Sequence, residues 1–185
     1  LAEMYVDKKD YTKAVENFEK AISAGAESAD VLAFKAGSAA YNGKNYDKAI
    51  EIFDKCIAAN YKGETAYYYK SIILKNQNKA AESKAALEEG LGKFPGDAKM
   101  APALAKIYVA EGNELYKKGA AVVSEANTKV TAGKLKTDDP AYQAELSKAK
   151  VEFEAAIAVL EKAKALDASN ANIQKLLDAC AAAMK

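Results

Sequence analysis

Apolar residues recur along the chain at helical spacing. Val15, Phe18 and Ile22 stand three and four positions apart, and equivalent sets return in each later segment. Steps of three and four place such side chains on one face of an α-helix. Each of these helical segments is preceded by another one, so the pattern predicts an all-α chain built from paired helices.

The helical segments are copies of one another. Residues 10–22 (DYTKAVENFEKAI) and 45–57 (NYDKAIEIFDKCI) share Tyr, Lys, Ala, Glu, Phe, Lys and Ile at a constant offset of 35 positions. A third copy follows 34 positions later with Leu87 in place of the Phe, and a degenerate fourth copy contains Ala156 and Leu160. A period of this length indicates an architecture of stacked repeats.

The residue types at fixed positions resemble the tetratricopeptide repeat family, whose unit is a helix-turn-helix of about 34 residues. Small residues stand in the middle of the first helices, at Ala2, Gly37, Ser71 and Ala105. The second helices carry the pairs Ala14/Phe18, Ala49/Phe53, Ser83/Leu87 and Ala156/Leu160. The resemblance implies an α-α superhelix, a right-handed solenoid with a concave face lined by the first helices, and a role in protein binding.

We expect a single repeat domain over residues 1–185. A partial repeat at 1–29 would be followed by repeats at about 30–63, 64–97 and 98–170, and by a capping helix at 171–185. Solenoids need such a cap to cover the last repeat.

The fourth repeat departs from the pattern through an insertion at about 112–150. The first helix continues to Ala132-Gly133, and a second begins at Asp139-Pro140, where Pro suits the first helical turn. Two helices of about 30 residues would form an extended antiparallel hairpin about 45 Å long. Folding at the loop pairs Leu115 with Phe153, and Val122 with Leu146 or Ala149.

Turn and cap signals complete the organisation. Asp30 and Asp97 are predicted to cap the helices that follow them. Cys56 and Cys180 form no CxxC pair and are predicted to be buried, unpaired thiols.

Composition excludes several classes of function. The chain has 27 basic and 26 acidic residues, every basic residue is a lysine, and there is no His. Imidazole catalysis and imidazole metal sites are therefore absent, and no guanidinium can form a bidentate contact with phosphate. We expect no enzyme, no catalytic residue, no metal and no cofactor. The near-zero net charge disfavours nucleic acid as a partner, and no apolar run is long enough to span a membrane.

The run Tyr67-Tyr68-Tyr69 identifies a candidate binding surface. Successive helical residues point about 100° apart, and Tyr67 occupies a packing position. Tyr68 and Tyr69 therefore face either a ligand groove or the adjoining repeat, and both interpretations stay open. The candidate groove residues occupy outward positions of the first helices and are Phe34, Lys35, Ser38, Tyr41, Tyr68, Tyr69, Ile72, Lys75, Lys99 and Lys106.

The four lysines of this set would attract an acidic group or a C-terminal carboxylate, or would simply be solvated. Some members of the family hold chaperone tails in a basic clamp of Lys, Asn and Arg. That activity is not expected here, because the chain has no Arg and because Ser38 and Ile72 stand at positions where polar clamp residues would be needed.

Three hypotheses of function follow. The first is a scaffold that binds a peptide or a partner helix in the groove. The second is a structural element in which the projecting hairpin mediates self-association or docking, and the third is the regulatory segment of a longer enzyme. The compartment is left open. The start at Leu1 in mid-pattern indicates that an N-terminal piece was removed, and with the low cysteine count it favours a bacterial cell envelope or periplasm over the cytoplasm.

Overall fold

The computed structural model describes residues 1–184, and these contain nine α-helices and no strand. The helices are α1 Ala2–Asp7, α2 Tyr11–Ser23, α3 Ala29–Asn42, α4 Tyr46–Ala58, α5 Gly63–Asn76, α6 Ala80–Lys93, α7 Met100–Thr131, α8 Pro140–Leu166 and α9 Ala171–Ala183. This confirms the all-α fold class.

The backbone groups into two compact units, Leu1–Met100 and Ala101–Lys185. They are called the N-terminal unit and the C-terminal unit below. The expected single domain over the whole chain stays a prediction.

In the N-terminal unit each helix packs against the next one along the chain, from α1 to α6. The hairpins α1/α2, α3/α4 and α5/α6 therefore follow one another as stacked repeats, which is the arrangement of an α-α superhelix. We call α1, α3 and α5 the A helices and α2, α4 and α6 the B helices.

The turn inside each hairpin repeats in detail. Lys9, Lys44 and Asn78 adopt left-handed backbone conformations with φ of 60°, 58° and 60°. In each turn the next residue donates its N–H to the carbonyl oxygen five positions earlier, at 2.9 Å. The side chains of Asp10 and Asn45 then accept the backbone N–H three positions on, at 3.3 and 3.4 Å, and so cap the B helix.

Small residues allow the two helices of a repeat to cross closely. Phe53 is fully buried, and a Cβ built on Gly37 would lie 3.0 Å from its Cε1 atom. Phe18 and Leu87, at the equivalent position of the other repeats, are each 2% exposed. The missing side chain of Gly37 therefore leaves space for the ring of Phe53 where the two helices cross.

Of the two predicted helix caps, one is confirmed and one is wrong. The side chain of Asp97 accepts the backbone N–H groups of Lys99 and Met100, at 3.0 and 2.8 Å. Asp30, in contrast, lies in the first turn of α3, because that helix already begins at Ala29 with Ser28 in the capping position.

The C-terminal unit contains the predicted hairpin of two long helices. α7 has 32 residues and α8 has 27. The first ends ahead of Gly133, which has a φ of +67°, and the second has Asp139 as its N-cap and begins at Pro140, as expected.

The register of this hairpin differs from the predicted one by up to one helical turn. The ring of Phe153 lies beside Tyr116, with centroids 5.7 Å apart, and a Cβ built on Gly119 would lie 2.7 Å from its Cε1 atom. Leu115 was expected opposite Phe153. The missing side chain of Gly119 leaves space for the ring.

The last helix packs on α8 and buries Ile173, Leu177 and Cys180. It therefore serves as the predicted cap, while Lys185 lies outside the described residues. Cys56 and Cys180 are both buried free thiols, and burial raises the pKa of each.

Candidate partner-binding surface

The predicted groove residues of the N-terminal unit lie on two neighbouring A helices and on the segment that precedes α7. Phe34, Lys35, Ser38 and Tyr41 are on α3; Tyr68, Tyr69, Ile72 and Lys75 are on α5; Lys99 stands directly before α7. We call the surface formed by the outward positions of α3 and α5 the A-helix face. Lys106 lies on α7 in the C-terminal unit.

Aromatic rings fill the contact between the second and third repeats. The ring of Tyr69 stacks on Phe53 with centroids 5.3 Å apart, and it lies 5.1 Å from the ring of Tyr41. Phe34 meets Phe53 edge-on at 5.8 Å and Tyr61 at 6.3 Å. Tyr69 therefore contributes to packing between repeats, one of the two alternatives left open by the sequence.

Tyr68 lies differently from its neighbour. It is half-buried, its ring centroid is 6.4 Å from that of Tyr69, and Lys99 places its Nζ atom 5.8 Å from the ring centre. A second lysine, Lys62, holds its Nζ atom 4.7 Å from the ring centre of Phe34. Both arrangements are cation–π contacts, in which the ammonium group is attracted to the ring face.

Lys62 was missed by the sequence analysis. It lies outside the helical pattern, at the N-cap of α5, with a left-handed φ of 48°. The available signal was its position directly before an A helix, the same position that Lys99 occupies before α7.

The other predicted residues differ in how free their polar groups are. Lys35 pairs with Glu3 of α1. Ser38 donates its hydroxyl hydrogen to the carbonyl oxygen of Phe34 at 3.0 Å, so this hydrogen bond stays within α3. Ile72 is half-buried and Lys75 is exposed.

Carboxylates are unevenly distributed between the A and B helices of the second and third repeats. The A helices α3 and α5 together contain two acidic residues, Asp30 and Glu64, both in the first turn. The B helices α4 and α6 of the same repeats contain six, at Asp47, Glu51, Asp54, Glu82, Glu88 and Glu89.

Several carboxylates of the B helices pair with lysines. Lys48 lies 2.7 Å from Glu19 and 3.3 Å from Glu51, and the hydrogen bond to Glu19 is the main cause that raises its pKa. Glu51 also pairs with Lys55, and that hydrogen bond is the main cause that lowers the pKa of Glu51. These groups are partly or fully exposed to solvent, which screens their charges, so each pair stabilises the fold only slightly.

Tyr67, the first residue of the tyrosine run, is 1% exposed and confirms its predicted packing role. Its hydroxyl donates a hydrogen bond to Glu89 Oε1 at 2.6 Å. Burial is the main cause that raises the pKa of Tyr67, and the carboxylate of Glu89 raises it further.

A groove of about 720 Å³ lies in the C-terminal unit, along the distal part of α7 and beside Ala183 of α9. Its lining residues on α7 are uncharged, so the groove offers no acid, base or nucleophile pair. Among residues 1–184, no cluster of three or more potential metal-binding side chains occurs. Within the same range, no helix combines the length and the apolar character needed to cross a bilayer.

Comparison with known proteins places the first two repeats in one family. Two family models, both described as tetratricopeptide repeat, match residues 1–24 and 30–60. These ranges correspond to the hairpins α1/α2 and α3/α4. No curated protein matches the chain.

Two solved structures are similar to this one. A TPR repeats protein from Bacteroides fragilis is 23% identical in sequence and superposes with a TM-score of 0.66. The alignment covers 98% of this chain and 95% of that protein. A protein from Bacteroides ovatus is 17% identical over 98% of this chain and 93% of its own, with a TM-score of 0.48. At these identities, the likeness to the first of them extends to the fold alone.

Proposed function

Because the chain is a tetratricopeptide repeat protein, and its repeats form a protein–protein interaction scaffold, we propose that the A-helix face binds an extended peptide or a partner helix. Repeats of this family are typically non-catalytic interaction modules. The proposal assigns the binding site to one surface of the N-terminal unit.

The observation that carries this proposal is the environment of Tyr68. Its ring is half-buried beside Tyr69, while Lys99 lies over it from the segment before α7. A tyrosine offers a large contact area at low cost in conformational entropy and keeps a polar tip, and tyrosines are enriched among the residues that dominate binding energy. Tyr41 and Ile72 are also half-buried and supply further apolar area on this face.

The test compares Tyr68→Ala with a matched variant elsewhere. Partner peptides are selected from a displayed random library on the wild-type protein, and their dissociation constants are measured by fluorescence anisotropy. Tyr68→Ala should weaken binding about tenfold or more, which is the range of a residue that dominates an interface. Its circular dichroism spectrum should stay unchanged, because the ring is only half-buried.

The control is Tyr142→Ala in the C-terminal unit, which removes a half-buried tyrosine of α8. This variant should bind like the wild type. Equal affinity of Tyr68→Ala and wild type for every selected peptide would contradict the proposal.

Self-association through the hairpin is a second candidate function. It is favoured by the uncharged groove on the distal part of α7, where Val123 and Asn127 are among the lining residues. Sedimentation velocity of the wild type and of Val123→Glu tests it. A wild-type protein that stays monomeric at high micromolar concentration would eliminate this candidate.

A further inference from the structure

We propose that the segment recognised on the A-helix face is acidic, and that its carboxylates bind the ammonium groups of Lys62 and Lys99. This inference rests on the proposed function and specifies the chemistry of the ligand.

The two lysines are equivalent parts of a repeated arrangement. Phe34 and Tyr68 are each the sixth residue of their A helix. Each ring lies beside a lysine that stands directly before the second helix further along the chain, α5 for Phe34 and α7 for Tyr68. Lys62 precedes α5, which begins at Gly63, and Lys99 precedes α7. The arrangement therefore presents one held ammonium group on each of two successive repeats.

The ammonium groups of both lysines are available to bind a carboxylate of a ligand. Among residues 1–184 neither Lys62 nor Lys99 forms an ion pair, although many other lysines pair with carboxylates there, such as Lys48 and Lys55. A cation held over a ring loses part of its hydration and part of its conformational freedom before any ligand arrives. A carboxylate that binds there gains charge-assisted hydrogen bonds at a reduced entropic cost.

The surrounding charges favour an anionic ligand over a cationic one. The A helices α3 and α5 carry carboxylates only in their first turns, at Asp30 and Glu64, whereas the B helices α4 and α6 of the same repeats carry six. Lys75 is exposed and adds positive charge to α5, and Lys35 is already paired with Glu3. A basic segment would therefore meet ammonium groups that form no ion pair, which disfavours it by charge repulsion.

The experiment starts from peptides that are selected for binding to the full chain. Only those peptides that bind more weakly to the Tyr68→Ala variant are retained. Their Asp and Glu content should exceed that of the input library. The tightest peptide is then synthesised with each Glu replaced by Gln and each Asp by Asn. The neutral peptide should bind about tenfold more weakly, which corresponds to the loss of a charge-assisted contact.

Variants of the protein assign the carboxylate contacts. Lys62→Gln and Lys99→Gln should each lower the affinity for the acidic peptide several-fold and should leave the affinity for the neutral peptide unchanged. Lys20→Gln is the matched control, since Lys20 is an exposed lysine in the last turn of the B helix α2. Added salt should weaken the acidic peptide more than the neutral one.

The outcomes separate this inference from the proposed function. If acidic and neutral peptides bind equally while Tyr68→Ala weakens both, the face binds peptides but the acidic preference is wrong. Enrichment of Lys among the selected peptides would also overturn the inference. If no selected peptide depends on Tyr68, both proposals fail. Binding to phosphatidylserine vesicles without binding to any acidic peptide would replace the peptide ligand by a lipid surface and would likewise overturn the inference.

Discussion

The ring of Tyr69 lies parallel to the ring of Phe53, with centroids 5.3 Å apart and planes inclined by only 5°. The two residues belong to different repeats, because Phe53 is on α4 and Tyr69 is on α5. Phe53 is fully buried, so this contact extends the core of the second repeat into the third. Two adjacent tyrosines therefore have different environments: Tyr69 joins repeats, while Tyr68 lies under Lys99.

Replacing Tyr69 by alanine should destabilise the protein. Tyr69→Ala removes a ring that contacts both Phe53 and Tyr41, and we expect the free energy of unfolding to fall by about 2–4 kcal/mol. Tyr69→Phe keeps the ring and should remain within about 1 kcal/mol of the wild type. Urea denaturation followed by circular dichroism measures both changes, and a Tyr69→Ala variant as stable as Tyr69→Phe would contradict the packing role.

Two glycines of α7 should resist replacement by alanine. A Cβ on Gly119 would lie 2.7 Å from Phe153 Cε1, and one on Gly112 would lie 2.6 Å from Leu160 Cγ. Overpacking of this kind costs about 1–3 kcal/mol, which outweighs the gain in helix propensity of about 1 kcal/mol. Both variants should therefore lower the thermal midpoint of the protein.

Gly92 is the matched control for these two substitutions. It lies within α6, and a Cβ built there would have no neighbour within 4 Å. Gly92→Ala should therefore raise the free energy of unfolding by up to about 1 kcal/mol. The idea of a tight α7–α8 contact would be refuted by a stabilising effect of Gly119→Ala equal to that of Gly92→Ala.

Lys44 occupies a backbone conformation that favours glycine. Its φ is 58°, in the left-handed region where a Cβ atom costs energy. Lys44→Gly should raise the free energy of unfolding by about 0.5–1 kcal/mol, and Lys44→Val should lower it. As a control, Lys20→Gly in α2 should lower stability by about 1 kcal/mol. Chemical denaturation of the three variants measures their free energies of unfolding and shows whether glycine stabilises the protein at the position with positive φ and destabilises it within the helix.

The hydroxyl of Tyr67 should make stability fall at alkaline pH. Its pKa is raised above the ordinary value of 10.0 by burial and by the Glu89 carboxylate. Above that value the unfolded chain binds fewer protons than the folded protein at this site, so the free energy of unfolding decreases as pH rises. Tyr67→Phe removes this contribution.

Denaturation of the wild type and of Tyr67→Phe from pH 8 to pH 11 measures the effect. The wild type should be the more stable at pH 8, because its hydroxyl hydrogen-bonds Glu89. The difference in the free energy of unfolding between the two proteins should become smaller once the pH exceeds 10.0, the ordinary pKa of a tyrosine. A difference that stays constant over this range would mean that the hydroxyl ionises equally easily in the folded and unfolded states.

Much of the fold could be predicted from the sequence because the same pattern of residues recurs in each repeat. The offset of 35 positions between residues 10–22 and 45–57 fixes the hairpin length, and the small residue Gly37 fixes where the helices cross. The continuous pattern between Gly112 and Ala132 likewise predicted that α7 runs on past the usual repeat length.

The register of the long hairpin and the partners of the aromatic residues were harder to predict. Apolar spacing alone could not choose between Leu115 and Gly119 as the residue opposite Phe153, because an absent side chain leaves no signal in a hydrophobic pattern. Lys62 was missed because it falls outside the helical pattern of the sequence, whereas Lys99 follows the cap residue Asp97 and was included in the expected helix. The role of Tyr69 depended on contacts between residues of different repeats, which a single sequence does not define.

Cys56 and Cys180 give the protein one sequestered sulfur in each of its two compact units. A thiol reacts with an alkylating reagent only as the exposed thiolate. The labelling rate of each cysteine therefore reports how often its own unit opens locally. Mass spectrometry of peptides after timed labelling would therefore show whether the two halves open together or one at a time, without any engineered probe.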